Sequence, residues 1–220
     1  MKYLFLSVLT IFTVNLSMAQ KQEKGNYTVE MELAPLGSEP LKINSFRLRK
    51  FTTDQTALRL SAFIGGKRTP SVNTIGEIEL KDLNSSFDFT LRPGFEKHFD
   101  VTNKLSPYLG TELFIGYGQT VQSSESNWGA SQIMTTKNIS RNSNVGLNIV
   151  CGTDFYFSDK IYLGIEMGFG FLRDGKGTYA TKYKNPSDPT LTDTEMKGNS
   201  TSLNWGPNYQ GTFRLGFCIK

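Results

Sequence analysis

The chain has 220 residues and a formal net charge of +4 at pH 7, with its charges spread along the sequence. This length fits one domain, and so small a positive excess argues against a nucleic-acid partner. After the N-terminus, no apolar run approaches the ~18 residues of a membrane-spanning helix, which excludes a helical membrane protein.

The first twenty residues have the pattern of a secretory signal. Lys2 supplies a short positive start, residues 3–14 are mostly apolar, and Ser17-Met18-Ala19 forms a small-x-small cleavage site. The apolar run is too short for a transmembrane helix. We therefore predict that residues 1–19 are a cleaved signal peptide and that residues 20–220 form a single domain.

From Tyr27 onward, apolar residues alternate with polar or small ones, and this period of two predicts β-strands. The predicted strands, in chain order, are residues 27–33, 41–51, 57–64, 87–99, 105–118, 144–157, 161–172 and 205–219. The alternation slips near Asn44–Ser45, which predicts a bulge in the second strand. The fragment 75–80 also alternates and is a candidate extension of a strand.

The connections between these strands alternate in length. Residues 52–55, 100–104 and 158–160 are predicted to be short turns, residues 34–40 a modest connection, and residues 65–85, 119–142 and 173–203 long polar loops. An up-and-down barrel with both chain ends on one side has this pattern, with short turns in the periplasm and longer loops outside. Closing the sheet also removes the edges that lipid could not hydrate.

One face of the predicted sheet is apolar, and the other is rich in charges and glycine. A soluble, lipocalin-like carrier would turn the apolar face inward around a greasy ligand. Glycine suits the crowded lumen of an eight-stranded barrel, and interfacial girdles would account for the aromatic residues near strand ends, namely Tyr27, Phe51, Phe99, Tyr117, Phe157, Trp205 and Tyr209. We predict an all-β, up-and-down antiparallel, eight-stranded transmembrane β-barrel with its apolar face outward.

The charges of the polar face would then meet inside the barrel. Buried charges are costly unless they are paired, so we predict a structural network of ion pairs formed by Glu30, Glu32, Arg47, Arg49, Arg59, Asp88, Arg92, Glu96, Glu112, Asp154, Glu166 and Arg214. Glu30 should neighbour Arg47 and Arg49 on the second strand. Ring closure should bring Arg214 to the first strand, and Glu112 should lie near Arg92. A narrow ion path through the lumen is the alternative.

No catalytic residue, cofactor or metal site is predicted elsewhere. Cys151 and Cys218 fall on opposite faces of their strands, which argues against a disulfide. His98 is the single histidine and shares a face with Glu96. A satisfied or solvated side chain is expected there rather than an acyl-transfer base, which needs a nucleophile in reach.

Three segments, FTTDQTALRLSAFIG, FTLRPGFEKHF and LSPYLGTELFIGYG, resemble the repeating hairpins of small outer-membrane β-barrel proteins of the OmpA/OmpX type, including barrel-domain proteins of Bacteroidota. The resemblance covers most of residues 25–220. It implies an eight-stranded barrel in a Gram-negative outer membrane, in contact with lipid and lipopolysaccharide. We expect a monomer without enzymatic activity.

The sequence leaves several functions open. The first expectation is a structural or surface-interaction role, because binding residues on rigid scaffolds concentrate in loops. The loops 65–85, 119–142 and 173–203, with Trp128 as an exposed anchor, are the candidate contacts for an extracellular partner. The alternatives are a narrow or transport-associated pore, a lipid-A-modifying barrel enzyme and a soluble lipocalin-like carrier.

Overall fold

The computed structural model describes residues 21–33, 41–75, 78–127, 133–184, 194–196 and 200–219. Within these ranges the strands are β1 Tyr27–Leu33, β2 Leu41–Thr53, β3 Thr56–Ile75, β4 Ile78–His98, β5 Leu105–Asn127, β6 Ile133–Tyr156, β7 Ile161–Lys184, β8 Thr194–Met196 and β9 Ser200–Ile219. No helix in this part of the chain is long and apolar enough to cross a membrane. The predicted signal peptide, residues 1–19, and Trp128 lie outside the described residues.

Eight of these strands close into a ring. Each strand from β1 to β7 pairs antiparallel with the next, and β9 pairs with both β7 and β1. The closing register runs from Tyr27 opposite Ile219 to Leu33 opposite Phe213. The short strand β8 pairs only with β7 among the described strands. The predicted up-and-down, eight-stranded antiparallel barrel is therefore confirmed.

Register shifts interrupt the ladder at several points of the described strands. Between β1 and β2 the register passes from Met31 opposite Phe46 to Glu32 opposite Lys42. This shift confirms the bulge predicted near Asn44–Ser45. A second shift lies between Glu166 and Gly168 in the pairing of β7 with β9. A bulge leaves residues unpaired and bends its strand.

The long loops were predicted wrongly, because most of residues 65–85, 119–142 and 173–203 is strand. The β3–β4 ladder runs from Thr56 opposite Lys97 to Ile75 opposite Ile78, and β5 and β6 pair as far as Asn127 opposite Ile133. These upper segments are rich in Ser, Thr and Asn on both faces. Apart from the fragment 75–80 they show no apolar period, yet backbone pairing continues from the ladder below. Within the fragment 75–80, Ile75 of β3 pairs with Ile78 of β4.

The barrel carries its large apolar side chains outside and its charges inside. Leu58, Leu147 and Phe171 are each 53% exposed, whereas Arg49 and Arg214 are fully buried. This arrangement confirms the outward apolar face, which we call the apolar belt, and it leaves no apolar lumen for a lipocalin-like ligand in the described part of the barrel. Phe51 is a correction: it is 2% exposed and lies inside with Arg49, not in an outer girdle.

Candidate functional site in the charged lumen

The lumen contains nearly all of the charges predicted to meet there. The buried ones are Glu30, Glu32, Arg47, Arg49, Arg59, Arg92, Glu96, Glu112, Asp154 and Arg214. Glu166 joins them, with 8% of its side chain exposed. Every strand of the ring contributes at least one of these residues, so the network can form only when the ring has closed.

Arg49 lies at the centre of this network. Its Nη1 donates to Oε2 of Glu96 at 2.9 Å, and its Nη2 lies 2.8 Å from Oδ2 of Asp154 and 2.6 Å from Oε1 of Glu30. These three acids lie on β4, β6 and β1, so one guanidinium bridges the barrel in three directions. Such charge-assisted bonds offset the cost of removing the arginine from water.

Glu166, on β7, accepts bonds from two arginines on strands that do not neighbour β7. Arg47 donates through Nη2 to Oε1 at 2.9 Å and through Nη1 to Oε2 at 3.1 Å. Arg59 donates to the same two oxygens at 3.0 and 2.8 Å. Since β2 and β3 do not pair with β7, these bonds cross the lumen.

Closure of the ring brings Arg214 of β9 against β1, as expected. Its Nη1 donates to Oε2 of Glu30 at 2.8 Å, and its Nη2 donates to Oδ1 of Asp154 at 3.1 Å. Nη1 of Arg47 lies 3.2 Å from the same Glu30 oxygen. Glu30 therefore neighbours Arg47 and Arg49 of β2 on one side and Arg214 of β9 on the other.

Arg92 lies at the upper margin of the network and makes longer contacts. Its Nη1 is 3.8 Å from Oε1 of Glu112, and its Nη2 is 3.5 Å from Oε1 of Glu32. Arg59 comes closer to Glu112, with 2.9 Å between Nη2 and Oε2. The expected Glu112–Arg92 contact thus exists, but Glu112 is shared with Arg59.

Asp88 is the predicted network member that the structure places elsewhere. It is exposed, in a row with Gly65 and Gly118, and no ion pair joins it to another described residue. Asp88 lies four residues along β4 from Arg92, which is roughly 13 Å at strand spacing. The alternation of apolar and polar residues correctly indicated that Asp88 is on the inward face. It did not indicate how far along β4 this residue lies from the network.

Two tyrosines belong to the network although the sequence did not single them out. The Tyr162 hydroxyl donates to Oε1 of Glu30 at 2.6 Å and accepts from Nη2 of Arg49 at 2.6 Å. The Tyr108 hydroxyl donates to Oε2 of Glu166 at 2.5 Å. Tyr108 lies on the same face of β5 as Glu112, and this shared face was the sequence signal that could have identified it.

His98 is a satisfied histidine, as expected. Its Nε2 lies 3.1 Å from Oε2 of Glu96, and its Nδ1 lies 2.9 Å from Oγ of Ser106. The ring lies between Phe51 and Tyr108, with 5.1 Å between ring centroids on each side. Both ring nitrogens are thus engaged within the protein, and the imidazole helps to fill the lower lumen.

Residues before β1 cross the short-turn end of the barrel. The backbone nitrogen of Lys21 donates to the carbonyl of Asn103 at 3.1 Å. Gln22 is 3% exposed and donates from Nε2 to Sγ of Cys218 at 2.7 Å. This segment therefore covers part of the lumen opening at that end.

An ion pair fastens the same segment from outside. The Lys21 ammonium donates to Oδ1 of Asp100, and Nε2 of Gln55 donates to Oδ2 at 2.6 Å. These hydrogen bonds, that from Lys21 first, lower the pKa of Asp100 below its ordinary value of 3.8. The Asp100 side chain is exposed, so solvent weakens this attraction.

The remaining candidate groups form no site in the described part of the chain. Cys151 and Cys218 form no disulfide, as expected from their opposite faces. No group of three or more His, Cys, Asp or Glu side chains among the described residues is placed to hold a metal ion.

Comparisons with known proteins identify one family. The family model described as "Putative OmpA-OmpF-like porin family" matches residues 42–188. The match begins in β2 and ends just after β7, so it includes Arg49, Arg59 and Glu166 but not Glu30 or Arg214. A comparison with curated proteins found no match.

Proposed function

The chain belongs to the OmpA-OmpF-like porin family, and from this premise we propose that its lumen is closed by ion pairs and that its role is structural or interactive. Family membership and the outward apolar belt make it a porin-like β-barrel of the outer membrane. We also propose that the chain is exported and that residues 1–19 are cleaved as a signal peptide.

The bonds that cross the lumen are the observation that supports closure. Arg49 of β2 reaches Asp154 of β6 at 2.8 Å, and Arg59 of β3 reaches Glu166 of β7 at 2.8 Å. An eight-stranded barrel is just wide enough for its side chains, whereas open porins with more strands keep a water-filled channel. Guanidinium groups held between carboxylates would occupy the path that ions need.

The height of the hairpins supports a role at the cell surface. Crossing the hydrocarbon takes about 9–11 residues of a tilted strand, yet β3 has 20 residues and β6 has 24. The excess lies at the end opposite the short turns, which is the outer side in bacterial barrels. We propose that these paired segments, in place of the predicted loops, contact lipopolysaccharide or an extracellular partner, and that the protein acts as a monomer without catalysis.

A narrow pore is the second candidate, because the family itself is named for porins. Reconstitution into planar bilayers separates the two functions. The wild-type barrel should give no single-channel steps in concentrated KCl. Replacing Arg59 and Glu166 together by serine removes bonds that cross the lumen, and this variant should show steps.

The control is the double variant Lys67→Ser with Glu79→Ser. It also removes one cation and one acid, but both residues belong to the upper β3–β4 hairpin. This control should stay silent like the wild type. Discrete, ion-selective steps from the wild-type protein would overturn the closed lumen and establish the pore.

A further inference from the structure

The lipid-facing wall of the barrel contains a groove that is separate from the charged lumen. It has a volume of about 670 Å³ and crosses β5, β6, β7 and β9, and its walls include Phe99, Leu109, Cys151, Ile165, Met167 and Phe213. Met167 is 59% exposed and Ile165 is 50% exposed. The volume lies within the range of about 300–1,000 Å³ that small-molecule sites occupy.

The groove lies beside the register shift between Glu166 and Gly168. In the pairing of β7 with β9, Glu166 is opposite Thr212, but Gly168 is opposite Asn208. Met167, between them, has no partner in the β7–β9 register. A bulge interrupts the ladder and bends its strand, and a depression in the wall is the expected result.

Two polar groups at the base of the groove, those of Tyr108 and Glu166, are hydrogen-bonded within the protein. Tyr108 donates to Glu166 at 2.5 Å, and Glu166 also accepts bonds from Arg47 and Arg59. A ligand in the groove would therefore meet mostly alkyl and aromatic side chains. The exception among the lining residues is Thr153, whose buried Oγ1 has no hydrogen-bond partner in the described structure. Such a lining suits a hydrocarbon chain.

The position of the groove identifies the source of that chain. Pro107, Ile165 and Phe213 form its lowest row, and Pro107 lies three residues above Lys104, roughly 10 Å at strand spacing. Residues 99–104 and 157–160 are short turns, which face the periplasm in bacterial barrels. A chain entering the groove from this side belongs to a lipid of the periplasmic leaflet.

The turns below the groove also offer charge for a phosphate. Lys104 lies on the turn between β4 and β5 and is half-buried, and Lys160 lies on the turn between β6 and β7 and is exposed. These turns also contain two acids. Asp159 lies on the second turn, and Asp100 lies on the first turn, where it is paired with Lys21. Lysine side chains extend toward the headgroup level while their stems cover apolar surface.

We propose that this groove binds one acyl chain of an anionic glycerophospholipid of the periplasmic leaflet, with Lys104 and Lys160 at the level of its phosphate. The proposal rests on the placement of the barrel in the outer membrane. The lipid bound in the groove would exchange more slowly than the other lipids that surround the barrel.

Native mass spectrometry of the folded barrel in detergent tests this proposal. Phosphatidylglycerol with two 16-carbon chains is added, and the fraction of protein retaining one lipid is measured. Met167→Trp should fill the groove and lower that fraction at least fivefold. Leu147→Trp places the same ring on the apolar belt outside the groove and should leave the fraction unchanged. Equal retention by wild type and Met167→Trp, or equal loss in both variants, would overturn the site.

The headgroup part has its own comparison. Wild-type protein should retain phosphatidylglycerol at least threefold better than phosphatidylcholine of the same chains, and Lys104→Glu with Lys160→Glu should abolish that preference. Equal retention of both lipids by the wild type overturns the role of the lysines. Every sample is also run on SDS gels with and without heating. A heat-modifiable barrel that retains no lipid contradicts the groove alone, whereas a protein without heat-modifiable mobility contradicts the proposed barrel itself.

Discussion

At the scale of single residues, arginine occupies the positions that leucine or valine takes in a soluble core. Arg49 and Arg214 are fully buried, and each contacts at least two carboxylates. Aromatic faces add to this pairing, since the Arg49 guanidinium carbon lies 5.2 Å from the Tyr162 ring centroid. Removing one partner from such a pair is far more costly than the pair itself is stabilising.

Glycine at position 216 is required by the tyrosine opposite it. A Cβ at Gly216 would overlap the ring of Tyr162, which is fully buried against Tyr156 and bonded to Glu30. We expect Gly216→Ala to lower the free energy of unfolding by about 1–3 kcal/mol, because the ring must leave its hydrogen bonds. Urea unfolding of the barrel in lipid vesicles, followed by tryptophan fluorescence, would measure this loss.

Gly66→Ala is the matched control for that substitution. Gly66 also lies in a strand, but its added Cβ would meet only the Ser86 carbonyl oxygen, at 3.4 Å. This variant should unfold like the wild type. A normal stability for Gly216→Ala would mean that the Tyr162 ring moves without loss and is not part of the network.

At the scale of elements, strand length and strand phase have different origins. Within the belt, one face meets apolar surroundings, so the sequence must alternate. In the upper hairpins both faces are polar, and the β4–β5 ladder still continues from Phe87 opposite Gln119 to Glu79 opposite Asn127. The extent of the hydrophobic alternation in the sequence therefore indicates the height of the apolar belt and not the length of the strand.

The ion pair between Lys21, before β1, and Asp100 of the turn should be lost in acid. The hydrogen bond from Lys21 lowers the pKa of Asp100 below 3.8, so the attraction is fully present above pH 3.8. It should disappear as the pH falls through the lowered pKa of the folded protein. An NMR titration of the Asp100 carboxyl carbon would follow this change, and Lys21→Met should raise the pKa of Asp100 toward the ordinary value, although the hydrogen bond from Gln55 remains. An unchanged titration in that variant would exclude the contact.

At the scale of the whole molecule, ring closure and the charged lumen depend on each other. Arg214 of β9 and Glu30 of β1 come from opposite ends of the chain, and only the last pairing of the sheet places them 2.8 Å apart. The ion pair thus links the closing strands from inside, where water cannot compete.

A double-mutant cycle on this closing pair should show strong coupling. We expect Arg214→Ala alone to lower the free energy of unfolding by about 3–5 kcal/mol, because Glu30 and Asp154 lose a buried partner. Adding Glu30→Ala should cost less than in the wild-type background, with a coupling of about 0.5–3 kcal/mol. The exposed pair Glu79 and Lys81, 3.5 Å apart, is the control, and its coupling should be below about 1 kcal/mol. Additive effects at Arg214 and Glu30 would argue against a cooperative lumen.

The sequence by itself determined the ring, its strand order and the direction of its faces, because a period of two is a local property that every strand displays. It also identified which charges face inward, since the alternation that places Leu48 outside places Arg47 and Arg49 inside. Only the tertiary structure decided which of those charges meet. Asp88 and Arg92 share one face of β4, but their heights along the strand separate them. Tyr108 and Tyr162 reach Glu166 and Glu30 across Gly152 and Gly216, which lie between them in the same rows of the sheet. Contacts across a lumen depend on shear and closure, which are properties of the whole sheet and leave no mark on any single strand.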